Sequence, residues 1–225
     1  MTQRTRWWWV RHAPVTGVDG RIYGNSDPEA NTDDPPTYQA LARLLPKDSL
    51  LVTSHLRRAI QTAAAIRDAG LDLPEPLIEP DLGEQHFGDW QGRKREEVWA
   101  ELNPRHLFWL QPALGRPPGG ETFVEMVQRV ALTIDRLNAD HAGRDIVVVA
   151  HGGTIRAALA HKLRLDPEVA LACQVDNCSL TRLDHFAPTE SHPDGAWAMF
   201  HFNHRPAEKP GVEPDRTAML ALLPR

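Results

Sequence analysis

Apolar residues fall along the chain in two patterns: short unbroken runs, and longer stretches where they recur every three or four positions. The runs Trp7-Trp8-Trp9-Val10, Leu50-Leu51-Val52 and Asp145-Ile146-Val147-Val148-Val149-Ala150 read as strands covered on both faces. Successive strand side chains alternate sides, so the three tryptophans cannot form one aromatic platform, and core packing is expected. Helical spacing appears over Tyr38–Leu45, with Leu41, Leu44 and Leu45 on one side. A second helix is predicted from an N-cap at Ser54 to about Ala69, ended by Gly70, with Leu56, Ala59, Ile60 and Ala63 as its buried stripe. Glu121–His141 reads as a long amphipathic helix and Thr154–Leu163 as the helix after the third strand. Ser179–Asp184 and Ala196–Phe202 suggest a strand pair around Ser191-His192-Pro193-Asp194-Gly195.

Strands alternating with helices imply an α/β fold, a three-layer αβα sandwich whose mostly parallel sheet becomes mixed at the terminal hairpin. Two loops stand out. Ala13–Pro36 is rich in Gly, Asp, Asn and Pro. Residues 86–120 are charged, tryptophan-containing and broken by Pro112, Pro117 and Pro118, and read as an inserted cover. Residues 1–205 are therefore expected to form a single domain, and 206–225 a Pro-rich C-terminal tail. The apolar stretch Thr217–Leu223 in that tail would dock on the body or on a second subunit, which makes a homodimer a candidate assembly.

Composition narrows the class. Of 225 residues, 41% are hydrophobic and 24% charged, enough for a packed core. No run approaches a membrane span, and Met1–Arg6 is polar, unlike a signal peptide. Two cysteines are no disulfide framework, so a cytoplasmic protein is expected. A net charge of -5 tells against nucleic acid or an anionic membrane as partner. Within the 25 basic residues, however, lysine occurs only four times, against 21 arginines. Arginine grips phosphate and carboxylate with a planar fork that lysine lacks. Codon bias explains most of that surplus, so particular arginines are judged by position.

In open α/β sheets ligands bind at the carboxyl ends of strands. Here the first strand ends in Arg11-His12, the second in Thr53-Ser54 ahead of Arg57 and Arg58, and the third in His151-Gly152-Gly153 before a helix. If these strands are neighbours, histidines, arginines and two helix N-termini converge on an anion pocket. Helix geometry does not choose between Arg57 and Arg58, since both lie off the apolar stripe. No metal is expected: His201 and His204, three apart on a strand, face opposite sides, and arginines beside His12 and His151 would repel a cation. Cys173 and Cys178 lack other ligands at zinc-finger spacing.

Four motifs in order complete the reading: Arg11-His12; Ser54-His55-Leu56-Arg57-Arg58-Ala59 with Thr62; Glu84-Gln85-His86-Phe87-Gly88 with Gly92; and Ala150-His151-Gly152-Gly153. Together they resemble the histidine phosphatase superfamily, also called phosphoglycerate mutase-like, over about residues 7–202. Gly119-Gly120-Glu121 also resembles a Gly-Glu-Ser/Thr element of the phosphatase members. The resemblance implies that His12 is a transiently phosphorylated nucleophile, that Arg11, Arg58 and His151 hold the phosphoryl group, and that Glu84 protonates the leaving oxygen. It also selects Arg58, the arginine preceding alanine, over Arg57. The stretch Gly20–Asp27 is similar to the corresponding loop of members including α-ribazole phosphatases, which adds Arg21, Tyr23 and Gly24 as substrate contacts beside Gly152.

The implied chemistry is coherent. A phosphate monoester carries about two negative charges near neutrality, given a second pKa of ~6. Two arginines supply matching fixed charge, and phosphoryl transfer needs positioning and charge stabilisation above all. The expected activity is metal-independent hydrolysis of a small phosphorylated metabolite, with no cofactor. The alternatives are a phosphoglycerate mutase, an α-ribazole-5'-phosphate phosphatase of cobalamin synthesis, and a non-enzymatic anion-binding regulatory module. Val18, where mutases often carry Asn, and the modest cover favour hydrolysis over mutation.

Overall fold

A mixed sheet of six strands lies between two helical layers in the computed structural model, which describes residues 3–102, 106–190, 192–193 and 195–206. The strands are β1 (Arg4–Arg11), β2 (Ser49–Thr53), β3 (Leu77–Ile78), β4 (Asp145–Ala150), β5 (Leu180–Phe186) and β6 (Ala196–His204). Their spatial order is β3-β2-β4-β1-β5-β6. The first four run parallel; β5 is antiparallel to β1, and β6 to β5. The predicted αβα sandwich and its antiparallel terminal pair are therefore both present. Ser191 and Asp194 of the predicted turn, and the tail from residue 207 onward with its apolar stretch, lie outside the described residues.

Period-two alternation distributes the core. Trp7, Trp9, Ile146 and Val148 face α5 (Phe123–Asp140) and α6 (Gly152–Lys162). Val10, Leu51, Val147 and Val149 face α1 (Pro35–Leu44) and α2 (Arg57–Asp68). The tryptophans thus pack as core: Trp7 and Trp9 stack at 5.5 Å on one face, while Trp8 lies on the other, under the Arg182 guanidinium. Truncating either buried tryptophan to alanine would cost about 3–5 kcal/mol. α5 starts two residues later than the expected Glu121, on a capping box between Thr122 and Glu125.

α2 departs from expectation in two ways. It begins at Arg57, three residues beyond Ser54, and Leu56 occupies its cap position without a side-chain bond. The first helical N–H, that of Arg57, is instead satisfied by Asp27 Oδ1 at 2.7 Å, from the distant loop after β1. Its buried face is Arg58, Ala59, Thr62, Ala63 and Ile66, with Ile60 only half-buried. Arg58 therefore lies on the buried face, not off it, and Arg57 is exposed.

Residues 86–120 contain the short helices α3 (Arg95–Glu101) and α4 (Leu107–Leu110). They carry a small satellite core of Ile22, Trp90 and Val98, packed by Phe87, Trp99 and Phe108. A further short helix, α7 (Pro167–Leu171), follows α6. The register sets up the site: Arg11 pairs with Ala150 and Thr53 with Val149, so the residues that follow all three strands emerge at one sheet edge.

Candidate active site

His12 and His151 follow adjacent strand ends, and their rings lie 5.1 Å apart, both fully buried. His12 Nδ1 donates to Ala13 O at 2.6 Å, which leaves Nε2 with the lone pair and no hydrogen-bond partner. The turn that makes this possible is pinned on three sides. Ala13 N donates to Thr62 Oγ1, Asn177 Nδ2 donates to His12 O, and His12 N donates to Ala150 O. His151 is oriented by Ser54, whose Oγ lies 2.7 Å from Nε2 and accepts from Leu56 N. In the tautomer in which the Ser54 hydroxyl donates to Nε2, the unpartnered Nδ1 carries the proton, and the pair then presents one lone pair and one donor.

Arg58 reaches the same place from α2, with no exposed surface. Its Nη1 donates to Ser26 O at 2.7 Å and its Nη2 to Gly24 O at 2.6 Å, while Nε has no partner and the fork stacks on Tyr23 at 5.1 Å. Gly24 is set by its own backbone and by the loop beside it: its φ is +40°, and a Cβ there would sit 2.6 Å from Gln85 O. Arg11 donates from Nη1 to Val175 O at 2.6 Å, with Nε unpartnered. Among the described residues neither arginine pairs with a carboxylate.

Glu84 closes the ring from the loop after β3. Its Oε1 accepts from Gln85 N at 2.9 Å and its Oε2 from Gly153 N at 3.2 Å. A Cβ at Gly153 would lie 2.1 Å from Glu84 Oε1 and would push the carboxylate aside. The loop is clipped to α5 by Arg129, which donates to the carbonyls of Asp81, Gly83 and Glu84 and grips Glu121 with both arms of its fork. Glu121 in turn accepts from His86 N. The Gly119-Gly120-Glu121 element thus serves the loop that carries Glu84.

Electrostatics keep both histidines neutral. Burial is the largest effect lowering the His12 pKa, followed by Arg11 and Arg58; for His151 burial again leads, then His12, Arg58 and Arg11. A depressed histidine pKa gives stability that is complete above the ordinary value near 6.5 and is lost as pH falls from there toward the folded-state values. At about 1.4 kcal/mol per pH unit for each histidine, unfolding free energy is expected to fall by up to about 2.7 kcal/mol per unit below pH 6.5. Urea titrations at several pH values check this. His12→Asn should remove about half the slope, and an unchanged slope would refute the assignment.

The other sequence-derived residues divide. Tyr23 and Gly24 line a cavity of about 240 Å³ with Arg11, Glu84 and Gly153, closed by Phe87, Arg95 and Trp99 from residues 86–120. Gly152 borders Arg11 Nε. Arg21 does not line this cavity; it is exposed and donates to Gly92 O. His201 and His204 are not on opposite sides: Asn203, at φ +49°, bends β6 and brings their rings to 6.0 Å. No cluster of three metal-ligating side chains occurs among the described residues. Sequence reading passed over Arg156, which also lines the cavity; a lone arginine within the otherwise apolar run Ile155–Ala160 was its signal.

Two buried histidines, one with an unpartnered Nε2, thus share the carboxyl edge of an αβα sheet with two arginines that pair with no carboxylate among the described residues and with one glutamate. The profile of the histidine phosphatase superfamily (branch 1) matches residues 7–191, and the chain belongs to that superfamily. It is 32% identical over 208 residues to glucosyl-3-phosphoglycerate phosphatase of Mycobacterium tuberculosis, covering 86% of this chain and 92% of that one. It is 34% identical over 155 residues to a metal-independent phosphoserine phosphatase of Arabidopsis thaliana, covering 66% of this chain and 64% of the other. Among solved structures, the mycobacterial glucosyl-3-phosphoglycerate phosphatase superposes with a TM-score of 0.77 at 29% identity, over 89% of this chain and 99% of that one. These relatives place the chain among phosphoric monoester hydrolases. No described helix is long and apolar enough to cross a membrane.

Proposed function

We propose that the protein hydrolyses a small phosphorylated metabolite in two transfers through His12. The observation that carries this reading is the buried, unpartnered Nε2 of His12, on a ring held neutral by burial and by the nearby charges of Arg11 and Arg58 and lying 5.1 Å from the ring of His151. In the first transfer the Nε2 lone pair forms the N–P bond as the ester P–O bond breaks, and the departing oxygen takes a proton from Glu84. In the second, water attacks phosphorus, yields its proton to the Glu84 carboxylate and releases orthophosphate, restoring His12. Arg11 and Arg58 balance the dianion, and the His151 Nδ1–H donates to a phosphoryl oxygen. Tyr23, Gly24 and Gly152 border the substrate. Residues 86–120 act as the cover of a single domain, 1–205, with 206–225 a separate tail.

The same reading puts the protein in the cytoplasm, supported by the free cysteines Cys173 and Cys178. It also includes a homodimer, supported by Met199, Phe200 and Phe202, exposed on the edge strand β6. One assay tests the activity against the mutase alternative. Incubation with 3-phosphoglycerate is expected to release free phosphate; accumulation of 2-phosphoglycerate without phosphate would overturn hydrolysis.

A further inference from the structure

Gln91 joins the two loops on which the reacting groups depend. It follows the short 3-10 turn Gly88–Trp90, whose Trp90 is buried in the satellite core. Backbone bonds lay this segment beside the loop after β1: Gly92 N donates to Ile22 O at 2.7 Å, and Ile22 N to Arg93 O at 2.9 Å. Past Ile22 the half-buried Gln91 carboxamide continues the contact. Its Oε1 accepts from Asn25 N at 3.1 Å and from Phe87 N at 3.1 Å, and its Nε2 donates to Ser26 Oγ at 3.2 Å. Two N–H donors on one atom identify that atom as the oxygen.

These bonds hold the seat of Arg58. Its fork donates to Gly24 O and Ser26 O, and both carbonyls belong to the tight turn Tyr23–Ser26, closed by Ser26 N on Tyr23 O at 2.6 Å. Arg58 is fully buried without a carboxylate partner among the described residues, so the two carbonyls fix where its charge lies. Gln91 grips that turn at Asn25 N and Ser26 Oγ, while its oxygen also holds Phe87, three residues past Glu84. One amide thus ties the seat of Arg58 to the segment that carries Glu84. Gly24 leaves room for it, since Gln91 Oε1 lies 3.1 Å from where a Cβ would sit. Gln91 does not itself line the cavity bounded by Arg11, Tyr23 and Glu84. The next part of the loop is anchored separately, by three bonds from Arg57 to Asp27, so losing Gln91 loosens the turn without releasing the loop.

We propose that Gln91 is a positioning residue: its carboxamide holds the Gly24 and Ser26 carbonyls in register with the Glu84 segment, and so sets where Arg58 meets the phosphoryl group. The inference rests on the phosphatase reading, in which Arg58 grips that group. Misplacing such a group by about 1 Å costs on the order of 10²-fold in rate.

The test measures orthophosphate affinity by calorimetry and kcat/KM for p-nitrophenyl phosphate. Gln91→Leu, which keeps the volume and removes all three bonds, is expected to weaken orthophosphate binding about 10-fold and to lower kcat/KM about 30-fold or more. Gln91→Glu should stay within about 3-fold of wild type, because one carboxylate oxygen still accepts both N–H groups and the Ser26 hydroxyl turns to donate to the other. In an Arg58→Met background the side chain to be positioned is gone, so adding Gln91→Leu should lower kcat/KM by less than about 3-fold more. A purely structural role would leave the orthophosphate affinity of the folded variant unmoved, or would lower kcat/KM by the same factor in both backgrounds. Either result overturns the proposal, as does a loss in Gln91→Glu equal to that in Gln91→Leu; phosphate release by the wild type then leaves the phosphatase reading standing. If the wild type does not cleave p-nitrophenyl phosphate, that reading fails and the proposal with it. Circular dichroism checks folding. If Gln91→Leu does not fold, Gln91→Asn, too short to span both loops, replaces it with the same expectations.

Discussion

Replacing His12 with glutamine is expected to lower kcat by at least about 10⁴-fold, the scale on which removing a catalytic nucleophile acts. Glutamine approximates the side chain's length and can still donate to Ala13 O, so the packing around it is retained. It has no nitrogen lone pair able to attack phosphorus. Arg11, Arg58 and His151 remain in place, so KM should change far less than kcat. The measurement pairs steady-state phosphate release with brief exposure to a labelled phosphoryl donor. Wild type should acquire acid-labile, base-stable label on His12, and the variant none. Residual activity above about one per cent, or label on another residue, would remove His12 from the reaction.

The residues at the strand ends were legible because three local signals coincide with one global rule. Apolar runs locate β1, β2 and β4, ligands gather at strand carboxyl ends, and Arg11-His12, Ser54 and His151 occupy those ends. What the sequence hides is pairing across distance. The true cap of α2 is Asp27, some thirty residues upstream, so local reading assigned the cap to Ser54, whose hydroxyl is engaged by His151 instead. The same gap misplaced Arg58. An apolar stripe predicts which helix face is buried, but here that face also carries Arg58 and Thr62, because carbonyls of Gly24 and Ser26 wait above the arginine and Ala13 N above the threonine. A buried polar group is invisible to hydrophobic periodicity until its partners are known. Arg129 escaped for the same reason: its three carbonyl acceptors lie in a loop more than forty residues away. Arg21 shows the converse gap, since loop similarity nominated it while its exposed side chain donates to Gly92 O and does not line the cavity. In β6 the positive φ of Asn203 breaks the two-residue period on which the separation of His201 from His204 depended.

Glu84 sets the second large effect, which depends on the substrate rather than on the enzyme alone. An alkoxide leaving group needs a proton as the P–O bond breaks, whereas p-nitrophenolate departs readily without one. General acid catalysis contributes about 10²–10⁴-fold where it is needed. Glu84→Gln is therefore expected to lower kcat/KM for glycerol 3-phosphate by about 10³-fold, and for p-nitrophenyl phosphate by less than about 10-fold. Glutamine keeps a carbonyl oxygen that can accept from Gly153 N or Gln85 N, so the loop held by Arg129 should stay in place and the loss should report the proton. Equal losses on both esters would mean that Glu84 positions the substrate or supports the fold, and that the leaving oxygen takes its proton elsewhere. The geometry weighs against that outcome. The carboxylate lines the same cavity as Arg11 and Tyr23, and two backbone N–H groups hold it there.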